Sequence, residues 1–323
     1  MKTYAMLLAG LLGFASPAVA QRFNSATAWL NSPPLRAAEL RGKVVLVDFW
    51  TYTCINWLHT LPYVRAWAEK YKDHGLVTVG VHTPEFEFEK DLDNVRRAVK
   101  DIQVSYPVAV DSNYAVWRAF SNNAWPAVYL VDAQGRVRFS HLGEGEYERT
   151  ERMIQQLLAE AGNGNIPRDL VSVEGRGIEA APDWANVKTP ETYLGAARGE
   201  NRVKAAAAVL RLNQWSVAGD WKTRNDAIAL QKPNGRLALR FHARDLHLVM
   251  GPATRGSVVR YRVLIDGKPP VKAHGTDVDD QGYGTVTEQR LYQLIRQPKP
   301  IVDSTFEIEF LDPGVEAFSF TFG

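Results

Sequence analysis

The sequence predicts an α/β unit built on a central sheet, followed by an all-β sandwich. Two textures and the break between them predict it. Up to about residue 161, short apolar runs such as 44–49 and 76–81 alternate with longer stretches of helical period, the pattern of strands joined by helices. Beyond about residue 190 the apolar residues recur at every second position in short runs parted by Gly, Pro, Asp and Asn, as in an antiparallel sandwich. Between them, Gly162-Asn163-Gly164-Asn165-Ile166-Pro167 opens a loop-rich stretch. The expected organisation is a signal peptide at 1–20, an α/β domain at 21–161, a linker at 162–190 and a β-sandwich domain at 191–323.

Lys2, the apolar run 5–14 and Ala18-Val19-Ala20 before Gln21 form a secretory signal with cleavage near Ala20-Gln21. The apolar core is too short to span a bilayer. The expected location is therefore the periplasm or another exported compartment, with the chain soluble after cleavage. Residues 21–43 are a lead-in, with a turn of helix at 26–30 that Ser32-Pro33-Pro34 breaks. A strand at 44–49 contains one acid, Asp48. A helix from about Cys54 to Lys72 follows, bent at Pro62, and His74-Gly75 ends it. A strand at 76–81, a helix at 88–101, an extended segment at 106–110 and a short helix at 114–120 come next. A hairpin at 128–131 and 137–141 and a helix at 150–161 complete the first domain. In the second, strands are predicted at 236–241, 246–250, 258–265, 285–294, 305–311 and 317–322.

Cys54 is the single cysteine of 323 residues, placed where the strand turns into the helix. Unpaired N–H groups and partial positive charge at a helix N-terminus favour thiolate over thiol, which predicts a lowered pKa. An exported chain with one cysteine has no internal disulfide; Cys54 is free or pairs with another molecule.

Val47-Asp48-Phe49-Trp50 followed by Thr51-Tyr52-Thr53-Cys54, with Pro62 in the helix and Trp125-Pro126 before the strand at 127–131, resembles the thioredoxin superfamily. The segments 77–81 and 106–110, with Cys54-Ile55-Asn56 and Val81-His82-Thr83-Pro84-Glu85-Phe86, are similar to the TlpA-like and redoxin branch, nearest to DipZ-type proteins. The resemblance covers roughly residues 36–160 and implies a central mixed sheet flanked by helices. It implies that Cys54 is the nucleophile, that Asp48 is a buried proton carrier behind it, and that Trp125-Pro126 is a cis-proline site for an extended substrate. Asn213-Gln214-Trp215, the run 241–248 and Gly284-Thr285-Val286-Thr287-Glu288 resemble the C-terminal module of the same proteins, which implies a jelly roll akin to carbohydrate-binding modules.

One departure decides the expected chemistry. A dithiol enzyme carries a second cysteine three residues after the first, and here that position is Trp57. The second thiol releases substrate from a mixed disulfide, so its loss leaves monothiol chemistry with an external thiol, or none. Trp57 is expected beside the sulfur, as an apolar platform or as packing. Thr51, three residues before Cys54, stands where peroxiredoxins orient peroxide, although their nearby proline is Val47 here.

His82 and Glu85 follow a strand at the sheet edge where α/β sites form; a solvated pair is the plainer reading, with Glu85 kept as a substrate-positioning candidate. His59 and His74 are read as surface residues. Asp277, Asp279 and Glu288 nearly match the spacing of a calcium loop, though Gln281 departs from it and the flanks look like strands. No other cofactor is expected. Trp215, Trp221, Tyr193, Tyr283 and Tyr292 are the aromatics open to stacking on a glycan. A formal charge of +2 gives no electrostatic footprint for nucleic acid. The expected function is a thiol oxidoreductase acting through Cys54 on disulfides or peroxides. Its rival is a non-catalytic glycan- or protein-binding protein that uses the second domain.

Overall fold

The computed structural model describes residues 19–203 and 209–323. Most of the predicted signal peptide therefore lies outside the described residues. The predicted cleavage bond falls in a one-turn helix, α1 (Val19–Arg22), whose Val19 and Ala20 are buried.

A six-stranded mixed sheet organises the first unit. Its strands are β1 (Ala28–Leu30), β2 (Val44–Trp50), β3 (Leu76–His82), β4 (Val108–Val110), β5 (Ala127–Val131) and β6 (Val137–Leu142), in the order β1-β4-β3-β2-β5-β6. β2, β3 and β4 run parallel, while β5 is antiparallel to β2 and β6 to β5. Every residue of β2 is buried, as its unbroken apolar run requires of a strand covered on both faces. The helices are α2 (Ala37–Leu40), α3 (Ile55–Tyr71), α4 (Leu92–Asp101), α5 (Ala115–Ala119) and α6 (Tyr147–Glu160).

α3 begins at Cys54, its N-cap, contains Pro62 and is closed by left-handed Gly75. The helix predicted from residue 88 starts later. Residues Glu87–Lys90 form a 3-10 turn, and the Asp91 carboxylate accepts from the N–H groups of Asp93 and Asn94 to cap α4.

The second unit holds two antiparallel sheets. Its strands are β7 (Thr192–Tyr193), β8 (Trp215–Ala218), β9 (Trp221–Thr223), β10 (Ile228–Leu230), β11 (Gly235–Phe241), β12 (Asp245–Pro252), β13 (Val259–Ile265), β14 (Tyr283–Val286), β15 (Arg290–Arg296), β16 (Ser304–Phe310) and β17 (Val315–Phe322). One sheet runs β15-β12-β17-β10-β9, with β7 on β17; the other runs β14-β13-β16-β11-β8. The single strand predicted over 285–294 is two. The chain leaves one sheet at Val286 and enters the other at Arg290, and the Tyr292 hydroxyl gathers the N–H groups of Thr287 and Glu288 at 3.2 Å each.

The two units share a core. On β12, Leu246, Leu248 and Met250 face the second unit's interior, while Val249 faces the first unit. β17 does the same through a bulge. Ala317 and Ser319 pair with consecutive residues of β12, which leaves Phe318 between them and turns it outward. Phe318 packs on Phe86 and Phe88 at 5.3 and 4.7 Å between ring centroids. All of β12 and β17 is buried. The 162–190 stretch is strapped to the first unit: Arg65 pairs with Glu179, and Val171 N–H donates to Glu151 at 2.9 Å.

Candidate functional site

The parallel register of β2 and β3 brings Asp48 opposite Gly80 and Trp50 opposite His82. Antiparallel β5 pairs Phe49 with Ala127. The turn after β2, the loop after β3 and the Trp125-Pro126 bond just before β5 therefore gather at one sheet edge, and that bond is cis. Trp125 donates from its indole to the Thr83 carbonyl at 3.0 Å and packs on Trp117.

Cys54 is half-buried. The backbone N–H groups of Trp57 and Asn56 in the first turn of α3 pull its pKa down. Burial outweighs them, and the charges of Glu85 and Glu191 add to burial, so the thiol lies well above its usual value. The lowered pKa predicted from the helix terminus alone is thus reversed. The helix donors are present, but the sulfur sits in a low-dielectric setting beside two carboxylates.

Asp48 is fully buried, and burial pushes its pKa up to about 7 against donors from Trp57 and Tyr106. Trp57 donates from its indole to Asp48 Oδ2 at 3.0 Å, and the Tyr106 hydroxyl reaches the same oxygen at 3.4 Å. Asp48 Oδ1 has no protein partner. Trp57 is 0% exposed and stacks on Trp50 at 4.3 Å. The indole is therefore no substrate platform at the surface; it forms the floor of the site and holds the acid.

Thr51 is buried, 3.5 Å from His82 Nε2. His82 is fully buried too, and burial lowers its pKa to about 3, so it is neutral near pH 7. The solvated His82–Glu85 pair is thus corrected, because the ring is enclosed between Trp50 and Tyr52. His59 is also buried rather than superficial, with Glu144 at 3.0 Å. Glu85 is tied to the second unit: its Oε1 accepts from the Tyr193 hydroxyl and from Arg198, each at 2.7 Å.

Sequence reasoning missed Glu89 and Arg198, and took Tyr193 only for a glycan-stacking aromatic rather than a partner of Glu85. Glu89 is fully buried, and burial raises it to about 7. It accepts from the Thr53 hydroxyl at 2.6 Å and from the N–H groups of Glu85 and Phe86 at 2.6 and 2.9 Å, which fixes the loop beside the sulfur. The alternation Glu85-Phe86-Glu87-Phe88-Glu89 would place Glu89 with exposed Glu87; the 3-10 turn over Glu87–Lys90 breaks that period and buries it, so the sequence carried no signal of it. Tyr193 and Arg198 lie more than a hundred residues away in sequence and carry no local signal.

The three calcium candidates are apart in their bonding. Asp277 pairs with Arg290 at 2.6 Å, Asp279 accepts from the N–H groups of Gln281 and Tyr283 in a turn, and Glu288 pairs with Arg97 at 2.9 Å. Among the described residues no three potential metal ligands are gathered. Of the aromatics considered for a glycan, Trp215 and Tyr292 are core, Tyr193 is at the interface, Trp221 is half-buried, and Tyr283 is 46% exposed.

The family model described as Redoxin matches residues 18–158, and that described as Thioredoxin like C-terminal domain matches residues 189–323. Protein DipZ of Mycobacterium bovis is 35% identical over 316 residues, covering 92% of this chain but 42% of its own length. The chain thus spans less than half of that relative. Thiol-disulfide oxidoreductase YkuV of Bacillus subtilis is 31% identical over 133 residues, 41% of this chain and 89% of YkuV. A solved structure described as a thioredoxin-like protein in the oxidized form is 31% identical, covers 42% of this chain and 90% of its own, and has a TM-score of 0.38.

Proposed function

Because the chain belongs to the thioredoxin-like redoxin family of thiol–disulfide oxidoreductases, we propose that it is a monothiol member of that family, acting through Cys54. The observation that carries this reading is a half-buried sulfur at the N-cap of α3, with Trp57 buried on Asp48 where a second thiol would stand. Cys54 as thiolate attacks one sulfur of a substrate disulfide; a mixed disulfide forms and the other sulfur leaves as a thiolate. An external thiolate then attacks the mixed disulfide at the substrate's sulfur, regenerating Cys54 and leaving a new disulfide between substrate and the external thiol.

A raised thiol needs a proton acceptor, and Asp48, which ionises near neutral pH, is assigned that role. Trp125-Pro126 is assigned the substrate backbone. Thr51, turned toward His82, supports the turn rather than meeting peroxide. We read the paired sheets of the second unit as a jelly roll and the chain as exported. Among the described residues no helix is long and apolar enough to cross a membrane.

Mixed-disulfide trapping tests the mechanism. The wild type incubated with a disulfide-containing peptide is expected to give a covalent adduct that a small thiol releases, and Cys54→Ser to give none. Equal turnover by the two overturns it. The raised thiol also favours a second reading, a protein-binding role with a silent thiol, for which absence of any adduct is the expected result.

A further inference from the structure

Glu85 and Arg198 belong to different units and meet at 2.7 Å, and Glu85 N–H and the hydroxyl of Thr53, the residue before Cys54, both donate to the Glu89 carboxylate at 2.6 Å. The loop carrying Arg198 is fixed by its backbone: Leu194 N–H bonds to Phe318, Ala196 to Arg224 and Ala197 to Asn225, each at 2.8 Å. The guanidinium lies 3.6 Å from the Tyr193 ring centroid and 5.4 Å from that of Phe86, while one of its nitrogens reaches Glu85 Oε1. A cation stacked between two rings and bonded to a carboxylate is held in one geometry. These residues, with Lys90, Tyr114 and Asp226, line a cleft of about 300 Å³ between the units.

The groups facing the sulfur and Glu85 are otherwise acidic or neutral. Glu191 and Glu85 act on Cys54, Glu89 holds the loop from below, Tyr193 and Tyr114 stand at the side, and Lys90 is paired with Glu87. We propose that Arg198 is a positioning residue for Cys54, supplied by the second unit and acting through Glu85, whose charge it offsets beside the sulfur. The second unit thereby sets the reactivity of a thiol in the first. This rests on the reading of Cys54 as the attacking thiol, but it is tested without any disulfide substrate.

The experiment is the pH dependence of iodoacetamide alkylation of Cys54 in the full reduced chain, followed by mass spectrometry. Arg198→Met is expected to move the midpoint up by about 0.5–1 pH unit, which slows alkylation about three- to tenfold at a fixed pH below it. Arg198→Lys should keep the wild-type midpoint, and Glu85→Gln should lower it. In the Glu85→Gln background, Arg198→Met should have less than half its effect, because the charge it exposes is gone. An equal shift in both backgrounds, or none in Arg198→Met, overturns the proposal. Should the methionine variant not fold, Arg198→Gln makes the same discrimination by keeping a donor without the charge. Loss of disulfide chemistry with the expected shifts would sink the monothiol reading and leave this one standing; the reverse pattern would do the opposite.

Discussion

Asp48 keeps its proton to near neutral pH because it is enclosed by aromatic rings and given only two donors. A carboxyl with a folded pKa near 7 and an ordinary value of 3.8 holds in the native state a proton that the unfolded chain has lost. Its contribution to stability is therefore full below about pH 4 and is lost as pH rises toward 7. His82, lowered to about 3 by burial, works in the other direction, with stability lost as pH falls from about 6.5. Asp48→Asn isolates the first effect, since it keeps an acceptor for the Trp57 indole and removes the charge. Urea unfolding is expected to find the variant near the wild type at pH 4 and about 2–4 kcal/mol more stable at pH 8. The same difference at both pH values would show that Asp48 is not titrating there. The acid itself was legible from the sequence, as the one charge in a run that had to be buried. Its partners were not, because Trp57 and Tyr106 reach it from a helix and a neighbouring segment that only the sheet order brings together.

Among the elements, the strands with unbroken apolar runs, β2, β3 and β5, were readable nearly to their ends, and so was α3 with its proline and its glycine stop. What failed was set by tertiary demands: the turn of helix predicted at 26–30 is strand β1, paired with β4, and several boundaries moved. The helix predicted from residue 88 gave up its first turn because Phe86 and Phe88 are needed against Phe318. The run 285–294 was continuous in pattern but divided between two sheets. The strands β7, β8, β9 and β10 are too short to show a period. Gly80 marks the point where an element shapes the site. A Cβ there would lie 2.8 Å from Trp50 Nε1 and 3.0 Å from Tyr106 Cε2, the two rings beside Asp48. Gly80→Ala should cost about 1–3 kcal/mol through overpacking and alter the near-ultraviolet circular dichroism of the stacked Trp50–Trp57 pair. An unchanged melting temperature and spectrum would mean that the rings have room to move.

At the scale of the whole molecule, the alternating runs announced a sandwich but not that two strands of one sheet, β12 and β17, would have no solvent face. Periodicity reports which side of a strand is apolar; it is silent on what covers the other side when polar residues such as His247 and Ser319 are buried there as well. The shared core predicts one cooperative unfolding transition for both units. Phe318→Ala, which empties a ring pocket formed by Phe86 and Phe88, should lower stability by about 3–5 kcal/mol and shift tryptophan fluorescence and far-ultraviolet signals together. Two separated transitions in scanning calorimetry of the wild type would contradict it.

The bulge at Phe318 also bears on how such a chain can change over time. A strand whose two sides belong to different interiors answers to two volumes at once. A substitution at Phe318, Val249 or Leu291 that suits one unit must be matched by the segment around Phe86 and Phe88 in the other. The thiol unit and its partner are therefore bound to drift together, and grafting either onto a foreign neighbour would require redrawing that seam first.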